Sequence, residues 1–292
     1  MTLRLCTLCA GLLAALLGMG GATARPGGDP PGPRRFDDRP RLARPAAPRA
    51  GPLRWRVHES RSFRVLYLDG ELAPRLAAAA EAARVRLYRD WTGRAPALAW
   101  SPRCDLYLYR STEELVQMTG GDPKAGSAQA RPARLSPGQM LERRINVAAD
   151  DDGLFETTIP HEVTHVLSAE LLAGQPLPRW ADEGMAMLAE SERDQRRREE
   201  TLRARLRRAA PFRLRDLVRM GYPDEEYMSL FYAQSVSVVR YLVRLGGRPT
   251  LLAFLRTAGR YGVDYGLRYH YGLGGLTDLE SRWRAAQREE GR

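Results

Sequence analysis

Lysine is almost absent from this sequence. Lys124 stands alone among 46 basic residues, and the others are arginines scattered along the chain beside alanine, glycine and proline. The formal charge of +11 is therefore spread along the chain, and no recognisable motif accompanies it, so nucleic acid is not an expected partner. Cysteine is scarce too. Of 3 cysteines, Cys6 and Cys9 fall in an apolar N-terminal run, which leaves Cys104 for the folded part. One thiol closes no internal disulfide, so the fold must rest on its core. Cys104 alternates with Leu106 and Leu108 in "CDLYLY", which reads as a buried strand position and not as a nucleophile. Histidine numbers only 4, so any two that fall together carry weight. A hydrophobic fraction of 43% in 292 residues excludes wholesale disorder and allows one large domain or two small ones.

The N-terminus has the layout of a secretory signal peptide. Arg4 precedes an apolar run from Leu5 to Met19, and "GATAR" places Ala22 and Ala24 as in an A-x-A cleavage site. The run is shorter than the about 20 apolar residues of a spanning helix. Residues 1–24 are therefore expected to direct export to the periplasm, the cell envelope or the medium. Retained, they would be a membrane anchor. Residues 25–52 are rich in Pro, Arg and Gly, lack apolar periodicity and read as a disordered linker. Residues 53–292 are left as the folded domain.

Within that domain, "SFRVLYL" (62–68), "CDLYLYR" (104–110) and "RINVAAD" (144–150) read as strands. Leu72, Leu76, Ala80, Ala83, Leu87 and Trp91 step by three and four, which predicts an amphipathic helix closed by Gly93. "STEELVQMTG" is a short helix with Ser111 as N-cap and Glu114 three residues on. Residues 120–138 read as loop. Beyond Asp152 every periodic segment is helical. The expected fold class is α+β: a small mixed sheet with its helices over 53–170, then a mainly helical part over 171–292.

"TTIPHEVTHVL" (157–167) carries His161, Glu162 and His165 in the order H-E-x-x-H. Residues four apart share one helix face, so both imidazoles can grip one metal ion. Glu162, turned about 100° from His161, reaches a water at the metal without being a ligand. Pro160 is tolerated in a first turn, so the helix starts near Thr157 or Thr158. A catalytic zinc takes three protein ligands and leaves one position for water. Glu183, in "LPRWADEGMAMLAE", is the candidate third, with Trp180 as a core anchor and Gly184 permitting close backbone approach. The bland reading is a surface helix with two chance histidines. Val163, Val166 and Leu167 argue against it, because they make the helix buried, and buried imidazoles need partners.

"HEVTH" followed by "PRWADEG" resembles the gluzincin metallopeptidases, and in particular the bacterial peptidase-MA-like domain. The likeness extends to "YAQSVSVVRYL" with Gly246 and to the terminal "LTDLESRWR", over roughly 60–288. It implies one Zn2+ per chain on His161, His165 and Glu183, with Glu162 as general base and a peptide or protein as substrate. Tyr232, in "FYAQS", is the first candidate for the oxyanion donor by the same likeness, and His270 the second. One departure is that 17 residues separate His165 from Glu183, fewer than in the best-known members of the wider clan. The rival reading is an inactive zincin-like module that binds or assembles in the envelope. Asp182 and Glu190 flank the ligand position; Glu190 is read as a solvated charge ahead of a hydrogen-bond partner to a ligand, and Glu192–Arg208 as an exposed charged helix or loop. "RINVAAD" is expected to be a sheet edge that takes an extended peptide. The tyrosines of "YGVDYGLRYHYG" are read as core packing ahead of a substrate groove.

Overall fold

Short β-branched and aromatic runs build a sheet, and alanine-rich helix covers it. The structure, a computed structural model, describes residues 54–290 except 69, 121–127, 132–134, 137–138, 141, 174 and 207–209. The expected signal peptide and linker lie outside the described residues. The strands are β1 (Arg56–Glu59), β2 (Phe63–Tyr67), β3 (Cys104–Tyr109), β4 (Ala128–Arg131) and β7 (Arg144–Ala148), with a separate ribbon of β5 (Leu135–Ser136) and β6 (Gln139–Met140). The main sheet has the order β1-β2-β3-β7-β4. The three central strands run parallel, and β1 and β4 pair antiparallel at the two edges. Phe63, Val65, Cys104, Leu106, Ile145 and Val147 are all fully buried, the period-two face of the sheet. Burial pushes the Cys104 thiol pKa up, so it stays protonated in the core.

Helix α1 (Leu72–Thr92) lies against this face through Ala73, Leu76, Ala77, Ala80, Ala83, Leu87 and Trp91, and ends at Gly93 with φ 73°. Four alanines in that stripe keep the helix close to the strands. Helix α2 (Thr112–Thr119) starts where Ser111 accepts the Glu114 N–H. A wide π-helical turn (Leu154–Thr158) then feeds α3 (Ile159–Leu171), which carries the H-E-x-x-H residues. After it come α4 (Arg179–Met187), α5 (Glu192–Leu206), α6 (Leu214–Leu217), α7 (Glu225–Tyr261), α8 (Val263–Tyr271) and α9 (Leu276–Glu290). Helix α7 is broken at Gly247, φ 82°, just before Pro249. The fold class is α+β, a small mixed sheet followed by a mainly helical half. No helix among the described residues is long and apolar enough to cross a membrane.

Four expectations change. Residues 120–138 are not all loop, because β4 pairs with β7 from Ala128↔Val147 to Arg131↔Arg144. As a result β7 is interior and β4 is the edge. The sequence hides this because "AQAR" has neither β-branched nor aromatic residues, and pairing alone makes it a strand. β1, "RVHE", is a further addition: Val57 is its one apolar residue, and pairing with β2 makes it a strand. "YGVDYGLRYHYG" is mostly helix α8, and Tyr261, Tyr265 and Tyr269 are exposed instead of packed in the core. Only Tyr271 packs inward, edge-on to Phe254.

Helices α4 and α7 meet at Gly184. A Cβ there would stand 2.5 Å from Val239 Cγ2 and 2.8 Å from Ser235 O. A contact to backbone cannot be relieved by a rotamer change. Gly184→Ala is expected to force the helices apart and cost about 1–3 kcal/mol in urea unfolding. An unchanged midpoint would mean that the helices are free to slide.

Candidate metal centre

The helical period puts His161 and His165 on one face of α3, and their Nε2 atoms stand 3.1 Å apart. Their other ring nitrogens are taken. His161 Nδ1 lies 2.8 Å from Glu190 Oε1, and His165 Nδ1 lies 2.9 Å from Asp182 Oδ1. From α4, Glu183 brings Oε2 to 3.6 Å from His161 Nε2 and 4.0 Å from His165 Nε2. One ligand atom from each of the three residues falls within 4.8 Å of the others. Glu162, 7% exposed, sits beside them on α3.

This donor set fits a cation. With both Nδ1 atoms donating to carboxylates, two Nε2 lone pairs and a carboxylate oxygen converge on one point. Two nitrogens on one tetrahedral zinc stand about 3.3 Å apart, close to the spacing here. The electrostatics point the same way. Burial opposes a charged imidazole, yet Glu183 and Glu190 outweigh it and lift the His161 pKa to about 10. Burial likewise opposes a charge on His165, and Asp182 outweighs it, so that pKa also rises. Burial works against the Glu183 carboxylate, but the two histidines and Tyr222 hold its pKa down at about 2. The pocket favours positive charge at its centre.

Outer partners fix these side chains. Glu190, expected to be a solvated charge, is buried and takes Arg198 Nε at 2.8 Å and Nη2 at 2.7 Å as well as His161. It stands two turns beyond Glu183, and that face turns inward. Arg198 comes from α5, the run expected to be exposed. Asp182 also receives Ser168 Oγ at 3.4 Å and pairs with Arg179 at 3.5 Å.

Tyr232 lies at the site. Burial first and the Glu183 charge second push its hydroxyl up to about 12, so it is a neutral donor at pH 7. Arg198 sits 5.9 Å from its ring centroid. Its hydroxyl makes no hydrogen bond among the described residues. His270 is not brought here: its Nε2 lies 2.8 Å from Thr257 Oγ1, and its ring meets Tyr269. Sequence reasoning missed Tyr222, whose hydroxyl donates to Glu183 Oε1 at 2.5 Å. It occupies "GYPD", which looks like an ordinary turn, so the sequence gives no signal for it.

Removing Glu190 would strand His161 Nδ1 and the Arg198 guanidinium together. Glu190→Ala is expected to destabilise the chelator-treated protein by about 3 kcal/mol, at the low end for a broken buried pair because Arg198 keeps some solvent access. Denaturant titration measures it, and a loss under about 0.5 kcal/mol, the range of ordinary surface substitutions, would return Glu190 to the solvated class.

No curated protein gives a significant match to the chain. The family model described as the peptidase MA superfamily matches residues 142–288, half of the chain, from the start of β7 through every residue of the centre and on into α9. The chain belongs to the peptidase MA superfamily.

Proposed function

We propose that this chain is an exported zinc peptidase of the gluzincin type, hydrolysing peptide bonds. One observation carries the reading: two imidazoles and one carboxylate converge within 4.8 Å, with a carboxylate behind each imidazole. His161, His165 and Glu183 would hold one zinc ion per chain. Bound there, zinc supplies Lewis acidity, making water nucleophilic near neutral pH and polarising the scissile carbonyl.

The chain's own groups do the rest. Glu162, one residue along α3 from His161, takes the proton of the attacking water on its carboxylate. The same carboxylate then passes that proton to the leaving amine nitrogen. The Tyr232 hydroxyl donates to the carbonyl oxygen as negative charge develops on it. Glu190 and Asp182 hold the imidazoles with Nε2 inward. The extended substrate adds to β4, the edge strand among the described residues, which packs near α3, through backbone hydrogen bonds. The presence together of His161, Glu162, His165 and Glu183 favours this reading over a binding module without the chemistry.

The test has two parts. Elemental analysis of the wild type is expected to give near one zinc per chain, strongly reduced in Glu183→Ala. Glu162→Gln is expected to keep the zinc and lose about 10²–10⁴-fold in kcat on a peptide substrate. A zinc-free wild type, or a Glu162→Gln variant that cleaves at the wild-type rate, would defeat the proposal. Export has a separate check. The secreted protein is expected to begin at Arg25, and N-terminal sequencing that returns Met1 would replace the signal peptide with an anchor.

A further inference from the structure

Tyr222 lies between α6 and α7, flanked by Gly221 and Pro223. It is 51% exposed, yet its hydroxyl turns inward to a carboxylate that is 4% exposed. Core packing does not produce that combination, because the ring gains little from burial in this place. The ring is instead braced where it stands. The Arg179 guanidinium covers it at 4.6 Å from the centroid, and Phe231 and Tyr232 meet it edge-on at 6.2 and 6.4 Å. Arg179 also pairs with Asp182 Oδ2, and Asp182 Oδ1 holds His165 Nδ1. One arginine thus ties the tyrosine to the partner of a second histidine.

We propose that Tyr222 is the positioning residue for Glu183, holding Oε1 so that the carboxylate meets the metal through Oε2 alone. This rests on the zinc reading above and deepens it. A carboxylate with both oxygens free can take a metal with both. A donor fixed on Oε1 removes that choice and keeps a coordination position open for water, as a catalytic zinc needs. The two tyrosines then divide the work. Tyr222 is committed to Glu183, while the Tyr232 hydroxyl, without a hydrogen bond among the described residues, is left for the substrate.

The experiment uses the full chain as wild type, Tyr222→Phe and Tyr222→Leu. Circular dichroism checks each fold, zinc affinity is measured by competition with a chromophoric chelator, and the cobalt-substituted forms are compared by visible absorption. Both variants are expected to bind zinc about 10- to 100-fold more weakly. Their cobalt bands are expected to weaken as the coordination number rises above four. Tyr222→Phe with wild-type affinity and an unchanged cobalt spectrum would overturn the proposal, whatever Tyr222→Leu does, because the ring alone would then suffice. A wild type that binds neither metal would overturn the zinc reading itself, and this inference with it.

Discussion

Two imidazoles with their Nε2 atoms 3.1 Å apart, ringed by Glu162, Asp182, Glu183 and Glu190, make the charge balance around which the helical half is arranged. Such a cluster is unfavourable unless every member is held. Each neighbouring element supplies part of the holding. Helix α3 gives the histidines a common face, α4 brings Asp182 and Glu183, and α5 turns Arg198 back on Glu190. The segment before α7 adds Tyr222. The sheet contributes by position, as a rigid floor beneath α1 and α3.

Much of this was readable from residue types and spacing. H-E-x-x-H on a 3.6-residue period puts both histidines on one face, and "RWADEG" carries Glu183, which lies beside them, and the buried Trp180. The strands at Phe63, Cys104 and Arg144 were legible from β-branched and aromatic runs. What stayed hidden depends on contacts between distant parts of the chain. β4 is a strand only because β7 pairs with it. Glu190 and Arg198 look like two charges in a solvated run until α5 folds back. Tyr222 is a tyrosine in a turn until α7 carries that turn over α4. Local pattern reports one element at a time, and these three roles need two.

Tyr261, Tyr265 and Tyr269 show the reverse case, in which the pattern misleads. Aromatics four residues apart imply a buried stripe, but α8 meets α7 through Gly266 and Leu267 and leaves these rings outside. Close helix contact at Gly266, where a Cβ would stand 2.9 Å from Phe254, selects the small face as the inner one.

The spacing of the centre along the chain bears on the order in which it forms. Glu190 and Arg198 are 8 residues apart, His165 and Asp182 17, and His161 and Glu190 29. Sheet contacts such as Arg64 to Asp105 close 41 residues, and Tyr222 to Glu183 closes 39. Loop-closure entropy rises with length, by about 0.6 kcal/mol per doubling. Closing Glu190 to Arg198 thus costs about 1.4 kcal/mol less than closing Tyr222 to Glu183, and His165 to Asp182 about 0.7 kcal/mol less. Loop closure therefore favours those two pairs over the Tyr222 contact, while His161 to Glu190, only about 0.3 kcal/mol lower, is left unordered against it.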